Sequence, residues 1–107
     1  MPKYLYQASY TAEGTKGLLK EGGSKRRDTI AAMAKAAGGR IEAFYYAFGE
    51  ADVYVILDAP DHASAAAVSL AVNASGAVSL KTTVLLSPGE IDKAARKTVK
   101  YRAPGKR

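Results

Sequence analysis

Hydrophobic spacing changes its period repeatedly along this chain, and the order of those changes constrains the fold more than any single motif. Stretches with the alternating pattern of a strand surround two stretches with the spacing of a helix. The predicted order is strand 3–10, helix 24–37, strand 40–48, strand 52–58, helix 61–76 and strand 77–86. A chain of 107 residues is one domain in length, so these elements are expected to share one core.

Capping residues define the ends of the helices. Ser24 and Asp61 are predicted to cap the two long helices, and glycines follow both. Ser87–Glu90 has the pattern of a capping box with proline at the first helical position, which predicts a short third helix. Residues 11–17 (TAEGTKG) are expected to break the structure, with only an irregular turn at 17–19.

The stretch Gly49-Glu50-Ala51-Asp52 is predicted to form the hairpin between the second and third strands. A turn on Glu50 and Ala51 gives three expected cross-strand pairs: Phe48 with Val53, Tyr46 with Val55 and Phe44 with Leu57. All six side chains are apolar or aromatic, so this face is predicted to line the core. The opposite face carries Tyr45, Tyr54 and Ile56 among polar residues, and we expect a second protein surface to cover it.

The βαββαβ order is typical of a ferredoxin-like α+β domain. Such a domain has a four-stranded antiparallel sheet with both long helices on one face. The other face is left open, and a second copy of the chain would cover it in a dimeric α/β barrel. We therefore expect a homodimer or a higher homo-oligomer.

The net charge of +6 is concentrated at the C-terminus. Seven basic residues and no acidic ones follow Asp92, so residues 1–92 hold nine basic and ten acidic residues. We predict a ferredoxin-like domain over 1–92 and a basic helix end and tail over 93–107. Tyr101 is the only ring in that tail available for base stacking, so nucleic-acid binding is not expected.

Several classes of chemistry are excluded by composition. The chain has no cysteine, which removes disulfides and thiolate chemistry and favours a reducing cytoplasmic location. Its one histidine, His62, has no partner at metal-ligand spacing and is predicted to be exposed, and the glycines do not form a phosphate loop. No metal or cofactor is therefore expected. Membrane association is not expected either, since no signal peptide or long apolar stretch is present.

The residues left as candidates for a ligand pocket come from two groups. Asp52 either satisfies amides of the hairpin or, beside Tyr45 and Tyr54, accepts a hydrogen bond from a ligand or acts as a general base. The second group could bind an anion and comprises Lys81, Thr83, Arg26 and Arg27. A lysine on an edge strand also protects against aggregation, and the arginines are unfavourably placed at the positive end of a helix dipole unless a carboxylate or ligand compensates them.

The order of several short motifs resembles the GYD domain family. These motifs are Tyr10–Gly14, Arg26-Arg27, Gly38-Gly39, Phe44–Tyr46, Gly49–Asp52, Ala59–Asp61 and Ser75–Val78, and together they span roughly residues 4 to 90. The resemblance implies a ferredoxin-like dimer of the dimeric α/β-barrel class, whose members include cofactor-free enzymes and ligand-binding modules. Ala51 departs from the family pattern, because it stands where the tyrosine of the Gly-Tyr-Asp stretch is expected.

Two functions follow as hypotheses. The first is a small-molecule-binding domain of the dimeric α/β-barrel class, with enzymatic activity left open. The second is a structural or regulatory module that acts by oligomerisation, with the basic tail contacting an acidic partner. Ionic strength distinguishes them, because binding by the tail should weaken with salt and pocket binding should not.

Overall fold

The computed structural model describes residues 1–106 and forms a mixed α+β domain with a four-stranded antiparallel sheet and four helices. The elements are β1 Lys3–Tyr10, α1 Ala12–Glu21, α2 Gly23–Ala36, β2 Arg40–Tyr46, β3 Val53–Asp58, α3 His62–Ala74, β4 Val78–Leu85 and α4 Pro88–Ala95. The strand order is β2-β3-β1-β4, so β2 and β4 are the edge strands. All three strand pairs are antiparallel.

Most of the predicted helix ends are confirmed. The Asp61 side chain accepts a hydrogen bond from the Ser64 amide at the start of α3, at 2.7 Å. At α4, Ser87 and Glu90 form the reciprocal bonds of a capping box, with Pro88 in the first turn. Gly38 has a φ of +86°, a conformation that favours glycine and stops α2.

The expected break at residues 11–17 is wrong, because this stretch begins α1. Thr11 caps that helix by accepting from the Gly14 amide, and the two glycines of the stretch are tolerated inside it. Gly22, with a φ of +87°, then separates α1 from α2. Gly22 is also the N-cap of α2. The prediction that Ser24 caps this helix is therefore wrong.

The hairpin register differs from the prediction by two residues. Tyr46 is opposite Val53 and Phe44 is opposite Val55, so Phe48 lies in the loop. The loop is closed by the bond from the Ala47 amide to the Asp52 carbonyl, at 2.8 Å, which makes it longer than a two-residue turn. The shift leaves Phe44 and Tyr46 on their predicted face, whereas Phe48, which was also predicted to line the core, is fully exposed.

The core lies between the sheet and the helices α2 and α3. One sheet face supplies alternate residues of β1 and β3, and the helices supply small residues that allow close approach; the buried cluster is Tyr4, Tyr6, Ala8, Ala34, Val53, Val55, Leu57, Ala59, Ala65 and Val68. Tyr6 donates its hydroxyl to the Ala65 carbonyl at 2.6 Å, and burial raises its pKa to about 12. Both polar and apolar contacts therefore hold α3 on the sheet.

The other sheet face is not covered by any described element. Leu5, Tyr54 and Ile56 are half-buried there, and Tyr45 is exposed. Beyond β4 the chain is also uncovered, since every residue from 86 to 106 except Ala103 is exposed. No helix within residues 1–106 has the length and apolar character needed to cross a membrane.

Candidate functional site

A cavity separates the layer of helices from one end of the sheet. Its outer part, of about 330 Å³, lies among α1, α2 and α3, and a deeper part of about 50 Å³ reaches the core face of the sheet. The two parts share six of their lining residues, which are Tyr10, Arg26, Ile30, Met33, Val72 and Val78. We call the combined space the inner chamber. Its volume is near the lower limit of ligand pockets, which run from roughly 300 to 1,000 Å³.

Helix α1 forms one wall of the inner chamber. Gly14 lies so close to the chain before β4 that a Cβ added there would be 2.0 Å from the Ala77 carbonyl oxygen. The Thr11 amide and hydroxyl both donate to that same carbonyl, at 3.0 and 3.2 Å. Glycine at position 14 is therefore required for α1 to pack in this position.

The charged residues of the inner chamber are one arginine and two glutamates. The Arg26 side chain is only 26% exposed, and its Nη1 is 3.7 Å from Glu21 Oε2. Glu13 also lines the outer part. The Arg26–Glu21 distance is long for a charge-assisted hydrogen bond, so the guanidinium retains capacity to donate to a ligand. Glu21 also compensates the unfavourable position of Arg26 near the start of α2.

Tyr46 lies close to Arg26, beside the start of α2, but does not line the inner chamber. Its hydroxyl donates to the Gly23 carbonyl at 2.9 Å, and its ring packs edge-on against Phe44 with the ring centres 5.3 Å apart. Burial raises the pKa of Tyr46, neighbouring Tyr10 adds to that rise, and Arg26 opposes it. The phenol is thus kept protonated and positioned at the junction of α1 and α2.

A second cavity, of about 460 Å³, lies on the other side of α1, and we call it the outer cavity. It shares Tyr10 and Leu18 with the inner chamber and is bounded by the hairpin residues Phe48 and Asp52. Asp52 Oδ2 accepts from the Tyr10 amide at 2.8 Å. The carboxylate therefore satisfies an amide of β1 rather than one of its own hairpin.

A third space, a groove of about 340 Å³, lies between α3 and β4. The buried Tyr4 hydroxyl is 2.6 Å from His62 Nδ1 in this groove, and the two rings meet edge to face. His62 is exposed, as predicted, but its contact with Tyr4 could not be inferred from its position in the sequence. No group of three or more potential metal ligands occurs within residues 1–106.

The structure distributes the predicted site residues over four places. Arg26 lines the inner chamber, and Asp52 lines the outer cavity. The exposed Arg27 has its Nη1 3.7 Å from Asp28 Oδ1.

The remaining four candidates do not join them. Tyr45 is directly opposite Tyr54 on the open face of the sheet, and Lys81 and Thr83 point to that same face from β4. Because α2 packs on the opposite face, the sheet separates Lys81 and Thr83 from Arg26. The combined anion site considered from the sequence is therefore not assembled.

Several lining residues of the inner chamber were not identified from the sequence. Ile30 and Met33 have the i, i+3 spacing of a helix face, and Val78 fits the alternation of the last strand, so these residues were interpreted as ordinary core; Val72 is not on the face indicated by the apolar spacing of the second long helix. Tyr10 was placed on a strand without a role. The only signal was Arg26, whose charge conflicts with the helix dipole, because periodicity does not distinguish a side chain that fills a core from one that borders a cavity.

Comparison with known proteins gives one match. The family model described as GYD domain matches residues 4–95, which is most of the chain. No curated protein matches the chain, and no solved structure matches it. The match extends from the first strand to the end of α4, and it therefore includes the elements that form both cavities.

Proposed function

The chain belongs to the GYD domain family, and from that premise we propose that it is a small-molecule-binding domain whose ligand occupies the inner chamber. The observation that carries the proposal is a cavity among three helices that shares six lining residues, Arg26 among them, with a smaller space at the core face of the sheet. A well-packed domain of this size would fill that space with side chains. An apolar cavity with a few converging polar groups is the usual form of a ligand site.

The lining residues support a ligand with an apolar body and one polar end. Ile30, Met33 and Val72 would contact the body, and the polar end would lie between Arg26 and Glu21. A ligand group that both accepts and donates, such as a carboxamide or a protonated acid, suits this pair better than a free anion, because Glu13 and Glu21 outnumber the arginine.

The proposal concerns binding and leaves conversion of the ligand open. Among the described lining residues of the inner chamber, the carboxylates are Glu13 and Glu21, and Glu21 is paired with Arg26. A cofactor-free reaction would need a free base next to the ligand, and the position of such a base depends on the ligand itself.

We also propose that the domain is ferredoxin-like and forms a dimeric α/β barrel in the cytoplasm. The strand order and the two helices on one face support the first part. The uncovered face with Leu5, Tyr54 and Ile56 supports the second, because a second copy would remove this apolar surface from water. Sedimentation of Ile56→Lys against the original chain tests it: the variant should be monomeric where the original chain is dimeric, and a monomer in both cases would reject the dimer.

The second hypothesis, a regulatory module acting through its tail, is favoured by the exposure of α4 and the residues after it. Nearly all of 86–106 is exposed, and its excess charge is positive. Binding of a polyanion such as heparin should then fall steeply with ionic strength. A salt-independent interaction would argue against the tail as the binding element.

The inner chamber is tested by a thermal-shift screen of compact amides and carboxylic acids, with two matched variants. Arg26→Met keeps the length of the side chain and removes its donors, whereas Arg27→Met makes the same change at a neighbouring exposed position. A ligand should stabilise the original chain and Arg27→Met at both low and high salt. Affinity should fall about tenfold or more in Arg26→Met, the loss expected for a hydrogen bond to a charged group. Equal stabilisation of both variants would reject the chamber as the site.

A further inference from the structure

The outer cavity combines a carboxylate with aromatic rings and has no cationic side chain among its described lining residues. Three rings (Tyr10, Tyr46 and Phe48) and Asp52 border it. We propose that the outer cavity binds a small methylated ammonium ion, with Asp52 supplying the negative charge and the rings contacting the methyl groups. Recognition of methylated ammonium ions by aromatic cages is a well-established use of cation–π attraction.

The carboxylate of Asp52 is available for such an ion. Oδ2 accepts from the Tyr10 amide, and within residues 1–106 Oδ1 has no hydrogen-bond partner and the side chain has no ion pair. Asp52 is also half-buried, so water solvates it less completely than a surface carboxylate. A half-buried negative charge without a protein cation attracts a cationic ligand.

The aromatic walls are suited to the methyl groups of the ion. Tyr46 is held in place by its bond to the Gly23 carbonyl and by Phe44, so one ring is already positioned. Phe48 lies in the hairpin loop and is fully exposed, an unusual position for a phenylalanine. A ligand in the outer cavity would cover this ring. Leu18 and Leu19 supply the apolar wall on the side of α1.

This site goes beyond the proposed function, because it lies on the other side of α1 and has the opposite charge preference. Arg26 does not line the outer cavity, and Asp52 does not line the inner chamber. The two proposals can therefore fail separately. Arg26→Met should remove binding in the inner chamber and leave the outer cavity intact, and Asp52→Asn should do the reverse.

The test is an NMR titration of the full chain with choline and with its neutral carbon analogue, in which a tert-butyl group replaces the trimethylammonium group. The two probes have almost the same shape and differ in charge. Choline should shift the resonances of Tyr46 and Phe48 in a saturable way, and the analogue should bind about tenfold more weakly or not at all. Equal binding of both probes, or no saturable shift with choline, would overturn the proposal.

Variants test the individual groups. Asp52→Asn can still accept from the Tyr10 amide, so it removes the charge while keeping the structural bond. Choline affinity should fall about tenfold, and Phe48→Ala should weaken it about two- to fivefold. Asp92→Asn, an equal charge change on the exposed α4, is the control and should have no effect. If Asp52→Asn impairs folding, Phe48→Ala still decides, because an affinity unchanged by loss of this exposed ring contradicts the aromatic site.

Discussion

Two aspartates at opposite ends of β3 have the same chemistry and very different surroundings. Asp58, at the end of β3, lies opposite Lys3 of β1 and Arg40 of β2, and both cations reach its carboxylate, at 2.8 and 3.0 Å. Asp52, just before β3, links the same neighbouring strands through its backbone: its amide donates to Ala8, and its carbonyl accepts from Ala47. The Asp58 end is joined by ion pairs between side chains, whereas no ion pair of the described residues occurs at Asp52, which bonds only to main-chain groups.

This difference determines how much polar capacity the aspartate at each end offers to a ligand. At the Asp58 end the carboxylate is buried and both of its oxygens are bound, so no polar capacity remains for a ligand. At the Asp52 end one carboxylate oxygen has no hydrogen-bond partner within residues 1–106, and the residue borders the outer cavity. The Asp58 end therefore stabilises the fold, and both cavities lie at the Asp52 end.

The largest effect is expected from adding a methyl group at the Asp58 end of the sheet. A Cβ at Gly39 would be 2.0 Å from the backbone oxygen of Asp58, so Gly39→Ala must separate the start of β2 from β3. We expect a loss of about 3 kcal/mol in the free energy of unfolding, the upper part of the range for overpacking. Urea unfolding measures it.

The control for this change is at the opposite end of the same hairpin. Gly49 has open space around its Cβ position, so Gly49→Ala should change the free energy of unfolding by less than about 0.5 kcal/mol. Similar losses for both variants would mean that the two ends do not differ in packing.

Replacing the two aspartates by alanine should give the next largest contrast. Asp58→Ala removes two charge-assisted bonds, but the freed cations can reach water because Lys3 and Arg40 are 44% and 74% exposed. The expected loss is therefore about 2 kcal/mol rather than the 3 to 5 of a fully buried pair. Asp52→Ala removes one bond to an amide and should cost about 1 kcal/mol. A larger loss at Asp52 would reverse the assignment of the structural end.

The sequence predicts the local elements of the fold but not the contrast between the two aspartates. Alternation, helical spacing and the caps at Asp61 and Ser87 correctly indicated the strands, α2, α3 and α4, because these signals are local. The helix α1 was missed because its glycines suggested a break, although Gly14 is needed for close packing against Ala77. The two aspartates looked alike in the sequence, since the register that places Lys3 and Arg40 beside Asp58 depends on strands far apart in the chain.

The pH dependence of stability should also separate the two ends. Hydrogen bonding to Lys3, and then to Arg40, lowers the pKa of Asp58 below its ordinary value of 3.8 despite an opposing effect of burial. A lowered folded-state pKa means that the ionised form stabilises the fold: this contribution is complete above the unfolded-state pKa and is lost as the pH falls through the folded-state value. The difference in unfolding free energy between the original chain and Asp58→Asn should therefore shrink on acidification.

The comparison with Asp58→Asn is needed because other carboxylates also contribute to the loss of stability at low pH. Backbone bonds from Ser64 and Ser87 lower the pKa values of Asp61 and Glu90. These two residues remain in the variant, so subtracting its unfolding free energy from that of the original chain isolates Asp58. A difference that stays constant from neutral pH to well below 3.8 would show that the Asp58 ion pairs do not stabilise the folded state.

The smallest expected effect is a gain of stability in α1, the helix beside both cavities. Gly17 lies within α1, and nothing is within contact distance of its Cβ position. Alanine there favours the helix by about 0.5 to 1 kcal/mol relative to glycine, so Gly17→Ala should raise the free energy of unfolding by that amount. Gly14→Ala, three residues earlier in the same helix, should instead destabilise the domain and weaken ligand binding in the inner chamber, because α1 would move away from Ala77. If Gly14→Ala left both unchanged, α1 would not be a fixed wall of that chamber.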